Sequence, residues 1–135
     1  MLALQQAVAV RLADKNLSSA YASAREAYDD RAGDCTEHAL LLAAAARALG
    51  IPARIAAGLA YADEFAGMSH RLVPHAWVQA WVDGRWVSYD AALRGFDAGH
   101  LLLATGNGDP GMYFGSLNAL GNLSAVRVHV HPVSP

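Results

Sequence analysis

Gly33-Asp34-Cys35-Thr36-Glu37-His38-Ala39-Leu40-Leu41-Leu42-Ala43 places the start of a helix and the most reactive side chain of the sequence in one turn. Asp34 and Glu37 have capping-box spacing: the cap side chain takes a first-turn N–H and the third helical residue reaches back. The apolar run that follows predicts a helix from Cys35, and Gly50 with Pro52 stops it. Cys35 is the one cysteine, so no internal disulfide is available. A lone thiol is either a small buried hydrophobe or a reactive group. A packing cysteine belongs mid-helix on the apolar face, and this one stands at the first turn. There the macrodipole and free N–H groups favour a thiolate and offer donors to an oxyanion. Gly33 lets the chain turn sharply and a substrate come close. The position favours function.

The next informative stretch lies downstream. Two alternating runs, His75 to Val82 and Arg85 to Ala91, flank Asp83-Gly84, which is hairpin turn chemistry. A two-residue loop sets Val82 opposite Arg85, Trp81 opposite Trp86 and Trp77 opposite Asp90. His75 shares a face with Trp77, so Asp90 lies diagonal to His75, at roughly 7–8 Å between backbones. An imidazole–carboxylate hydrogen bond spans that gap. Taken alone, a histidine at a strand start and an aspartate at a strand end are equally well two solvated residues. Beside a helix-terminal cysteine they make a base and its orienter, the set a thiol nucleophile needs.

The remaining chain fills in an α+β layout. Residues 2 to 15 read as an amphipathic helix, and Ser23 with Glu26 opens a second one that Arg31-Ala32-Gly33 ends. Residues 53 to 61 suit a buried strand, and Ala62 to Pro74 reads as a loop, either lining a substrate groove or simply solvated. A turn-rich region follows, with helical potential at Tyr113 to Leu120 and a last strand at Ala125 to Val130. Trp77, Trp81 and Trp86 share the His75 face and are expected to pack as core against the Cys35 helix. His129 and His131 share one strand face and His38 follows Cys35 by three. No tight ligand set accompanies them, so no metal is assigned and His38 reads as packed or capping. Asn107 to Gly111 is turn chemistry and not a phosphate loop.

With 54% hydrophobic and 16% charged residues, 135 residues fit one globular domain. A net charge of -2 and scattered Lys and Arg give no basic patch for nucleic acid. The longest apolar run, Ala39 to Ala46, is too short to span a bilayer. The first sixteen residues lack the features of a signal peptide, which makes the cytoplasm the default compartment. The helical pattern starts at once, so the chain reads as a piece of a longer protein, whose parent could be exported to a bacterial envelope.

Gly33 to Ala39, Arg47-Ala48-Leu49-Gly50-Ile51-Pro52-Ala53-Arg54, His75-Ala76-Trp77-Val78 and Gly84 to Asp90 together resemble the bacterial transglutaminase-like family. The resemblance implies a papain-like fold, a nucleophile-bearing helix packed on an antiparallel sheet, and carries Cys35, His75 and Asp90 over as the catalytic triad. One departure is that Asp90 is followed by Ala91-Ala92-Leu93, where the family often has Asp-Pro or Asp-Ala-Thr. The expected function is cysteine-dependent acyl transfer on an amide or peptide bond, with hydrolysis favoured over cross-linking and a protein or peptide as substrate. Amine transfer of the transglutaminase type, a non-catalytic binding module and a zinc hydrolase are the alternatives. No cofactor is called for, calcium included, since no acidic loop of calcium-binding spacing occurs.

Overall fold

A computed structural model describes residues 1–15, 21–93 and 95–120, together with 122 and 124. Helix α1 spans Leu2–Arg11. It stops short of residue 15 because Asp14 leaves the helix to bridge Ala32. Helix α2 is Ala24–Asp30, with the Ser23–Glu26 capping box formed in both directions and Arg31 closing it in the left-handed conformation. Helix α3 is Cys35–Ala48, opened by the Asp34–Glu37 box. Gly33 is obligatory here: a Cβ would lie 2.4 Å from that of Glu37, whose carboxylate reaches back to the Asp34 amide at 2.9 Å.

Four strands follow: β1 (Ala53–Phe65), β2 (Met68–Val82), β3 (Arg85–Tyr89) and β4 (His100–Gly106). They form an antiparallel sheet in the order β3-β2-β1-β4. Helix α4, Pro110–Leu120, begins three residues before the expected helix. The β2–β3 register runs from Val82 opposite Arg85 to Val78 opposite Tyr89, as the Asp83-Gly84 turn predicts. Both turn residues have positive φ, 51° and 75°, which matches the twist of the flanking strands.

Three expectations change. The loop expected over Ala62 to Pro74 is strand, because Ala66 and Gly67 make a second tight turn with φ of 50° and 76°. Pro74 is tolerated inside β2 because β3 pairs no further than Val78 and leaves that flank open. β4 was not foreseen; it lies along β1, from His100 opposite Ala60 to Gly106 opposite Ile55. The strand expected at Ala125 to Val130, with His129 and His131, lies outside the described residues.

The tryptophans are the third correction. The core against α3 is built from Ala76 and Val78 of β2, with Ile55, Ala39, Leu42, Ala43, Val8 and Leu12. Side chains alternate along a strand, so Trp77, Trp81 and Trp86 belong to the opposite face. Trp81 and Trp86 are 44% and 38% exposed, edge to face at 5.4 Å, with the Arg54 guanidinium 4.1 Å above Trp86. Trp77 is buried, but against His75, Phe96 and His100. Small residues on the α3 side let the helix sit close to the sheet, which a tryptophan there would prevent.

Gly58 marks a bulge between β1 and β4, and a Cβ there would lie 2.0 Å from the Leu101 carbonyl oxygen and 3.1 Å from Trp77. We predict that Gly58→Ala lowers stability by about 2 kcal/mol or more. Gly84→Asn, in open space in a conformation Asn tolerates, should cost under about 1 kcal/mol. Urea denaturation of both variants checks this, and equal losses would remove the crowding argument.

Candidate active site

Asp90 stands one residue beyond β3 and is 1% exposed. Its Oδ1 accepts the Ala92 and Leu93 N–H groups at 2.8 and 3.0 Å. Its Oδ2 faces His75 Nε2 at 2.6 Å and His100 Nε2 at 2.9 Å. Burial works to raise the carboxyl pKa, but the bond and charge of His75 and the donors from Leu93 and His100 outweigh it, and the net direction is down. An ionised carboxylate only accepts, so both imidazoles donate through Nε2. A neutral His75 is left with its lone pair on Nδ1.

His75 shares a cavity of about 810 Å³ with Cys35. The hairpin segments Ala60–Phe65 and Val73–Pro74 line it, as do Lys15, His38, Leu93 and Tyr113. Lys15 is held there by donating to the Ala92 carbonyl. The Ala76 N–H and the Tyr113 hydroxyl lie toward the Cys35 sulfur and favour its ionised form. The sulfur thus sits beside the His75–Ala76 peptide, with Asp90 behind the imidazole.

One electrostatic expectation is overturned. The helix start was expected to lower the thiol pKa, but burial pushes Cys35 up to about 12, helped by the Asp34 and Asp90 carboxylates and opposed only in part by Ala76 and Tyr113. Burial is the main reason, and the cap adds to it. The Asp34 side chain accepts the Thr36 N–H at 2.7 Å and that of Glu37, so a full negative charge already occupies the helix terminus. Those N–H groups are therefore not free for an oxyanion, which leaves the amide of Cys35 itself.

Glu37 is fully buried and holds the approach to α3, accepting the Ala22 N–H at 2.8 Å and the Asp34 N–H at 2.9 Å. Desolvation, with the neighbouring Asp34, raises its pKa. His38 is packed as expected, 1% exposed, with Nδ1 donating to the Asp34 carbonyl at 2.7 Å. Burial lowers its pKa. The Leu12 carbonyl favours its protonated form but is not placed to close a bond, and Nε2 has no partner among the described residues.

Sequence reasoning brought Cys35, His75 and Asp90 to one place and missed His100, Tyr113 and Lys15. Finding His100 required knowing that β4 pairs with β1. His75, Asp90 and His100 are also the one set of described residues whose ligand atoms lie within 4.8 Å of each other. Both ring nitrogens lie at hydrogen-bond distance from the same carboxylate oxygen, 2.6 and 2.9 Å, so a metal would have to replace the protons between them. The donor set fits shared protons and not a metal cage.

Asp90 also makes an acid-stability prediction. Its folded pKa lies below the ~3.9 of an unfolded chain, so its bonds stabilise the fold above pH ~4 and are lost as pH falls through the folded value. Asp90→Asn should flatten that acid loss. Thermal melts of both proteins from pH 7 to pH 2.5 test this; parallel curves would contradict it.

Comparison with known proteins agrees with this geometry. Residues 2–91 match the transglutaminase-like superfamily. Among curated proteins none matches the chain. A crystal structure from Cytophaga hutchinsonii, of a protein provisionally described as a cysteine protease, is similar at 31% identity and a TM-score of 0.65. The match covers 78% of this chain and 35% of that one, so this chain spans about a third of that protein's length. Family and structural neighbour together support a cysteine-dependent enzyme in general terms. With its α+β fold, a helix-terminal cysteine and an antiparallel sheet behind it, the chain belongs to the transglutaminase-like superfamily.

Proposed function

We propose that the chain is a cysteine acyl-transfer enzyme acting on amide or peptide bonds, with Cys35 as nucleophile, His75 as general base and acid, and Asp90 as the group that orients the imidazole. The observation that carries this is the 2.6 Å His75 Nε2–Asp90 bond, which commits Nε2 and leaves Nδ1 to take a proton in the cavity that Cys35 also lines. The Cys35 S–H proton passes to Nδ1 as sulfur bonds to the substrate carbonyl carbon. The tetrahedral intermediate then expels the amine, which takes that proton, and a thioester remains. Water, deprotonated by His75, attacks the thioester and returns the thiol.

The high thiol pKa is consistent with this order of events. A thiolate formed alone faces Asp34 and Asp90 in a poorly solvated site, whereas one formed as His75 takes the proton has a cation beside it. Hydrolysis is favoured over amine transfer because water, unlike an amine, needs no seat of its own. The substrate class is protein or peptide, in keeping with an open cavity that a hairpin lines.

Iodoacetamide alkylation of Cys35 across pH is the test. The wild-type chain should react at neutral pH through the His75-assisted thiolate. In His75→Ala the reaction should fall about 100-fold or more at pH 7 and climb only as the pH approaches about 12. Equal rates in both proteins would refute the triad and favour a non-catalytic module. Profiling a peptide library with water and with an amine present should yield cleaved peptide that depends on Cys35 and His75. Adduct in place of cleavage would move the assignment to amine transfer.

A further inference from the structure

We propose that His100 is a positioning residue of the same site: it holds Asp90 from the side opposite His75, and Asp97 holds His100 in turn. This rests on the reading of Cys35, His75 and Asp90 as a triad. The His100 side chain is 2% exposed, and each of its ring nitrogens has a polar partner. Nε2 meets Asp90 Oδ2 at 2.9 Å. Nδ1 lies 3.0 Å from Asp97 Oδ1 and 3.2 Å from the Asp97 carbonyl, which it meets as a donor when the ring is protonated. It also lies 3.4 Å from the Asp97 N–H, from which a neutral ring accepts. The ring packs against Phe96 at 4.7 Å, Trp77 at 5.3 Å and His75 at 5.6 Å between centroids. These aromatic walls keep water from competing for the bonds.

The choice of oxygen gives His100 more than a packing role. Ala92 and Leu93 occupy Oδ1, so the carboxylate is already fixed in the turn that follows β3. His100 adds its bond to Oδ2, the atom that His75 uses. Two donors on one oxygen share its charge, so each sets how strongly the other is held. His100 therefore governs the direction of the Asp90 lone pair toward His75 and the strength of that bond. Asp97, whose side chain is 77% exposed, orients the His100 ring at its other nitrogen.

Two substitutions separate a bonding role from a packing role. His100→Phe keeps an aromatic ring and removes the donor, whereas His100→Gln supplies an amide donor in a smaller side chain. In His100→Phe the His75 Nε2 proton, observed by NMR of the protein alone, should move downfield as the remaining bond tightens. In turnover kcat should fall tenfold or more while KM stays within about twofold. His100→Gln should hold the proton near its wild-type position and keep most of kcat. Should His100→Phe fail to fold, Asp97→Asn at its exposed position should give the same proton shift and a smaller fall in kcat. Wild-type behaviour in the donor-less variant, or equal damage from Phe and Gln, would overturn the proposal. A wild-type chain without turnover would sink the enzyme reading instead, and the imidazole proton would still decide on His100.

Discussion

A buried carboxylate with four donors is the constraint on which the rest of this structure depends. Removing an aspartate from water costs several kcal/mol unless charge and hydrogen bonding replace what is lost. Asp90 recovers it from three separate segments: His75 on β2, His100 at the start of β4, and the Ala92 and Leu93 amides in the turn after β3. Each bond requires a correct register. A one-residue slip of β2 against β3 would carry His75 to the α3 face, and a slip of β4 would do the same to His100. The carboxylate thus joins the two outer strands of the sheet through its central pair.

At Cys35 three effects compete, and their ranking decides the chemistry. The helix terminus offers about half a positive charge. The Asp34 carboxylate places a whole negative charge on the same N–H groups. Burial then adds a penalty on any charged sulfur, and the thiol ends near 12. Burial first, and the charge of the helix cap second, thus favour the protonated thiol at the first residue of α3. On the proposed reading, ionisation is coupled to a proton acceptor, and the His75 orientation then matters more than the helix dipole.

The parts of this arrangement legible in the sequence are those specified by local chemistry. The Asp34–Glu37 box fixed the start of α3 to the residue, and Asp83-Gly84 fixed the register that brings Asp90 to His75. Features that depend on distant neighbours were not legible. His100 lies in a stretch that reads as turns, and only the pairing of β4 with β1 brings it to Asp90. The Trp77 face was identified correctly as one face, but which face α3 covers depends on side-chain size across the interface. Ala76 and Val78 could have indicated it, since a helix rich in alanine packs closest on small residues. The thiol pKa is not legible for a similar reason: burial, its largest cause, comes from distant neighbours, and the cap charge reads in the sequence as a helix signal and not as a neighbour of the sulfur.

Cys35 and His75, the proposed nucleophile and base, come from opposite faces of β2 and yet line one cavity. His75 alternates with Ala76, so its side chain leaves the strand on the face away from the α3 core. The cavity reaches both because β3 stops pairing at Val78. Beyond that point the β3-side flank of β2 is open, and residues 74 and 76 present their backbone nitrogens to the same side. Proline at 74 has no N–H to leave unpaired there. At 76 the N–H lies toward the Cys35 sulfur, where a strand partner would otherwise be. The short β3 thus opens an edge that Pro74 and Cys35 together satisfy, beside the cavity that the imidazole and the thiol share. Extending β3 by two pairs, to Ala76 opposite Ala91, would close it, so the length of this strand is as much part of the site as the residues that line it.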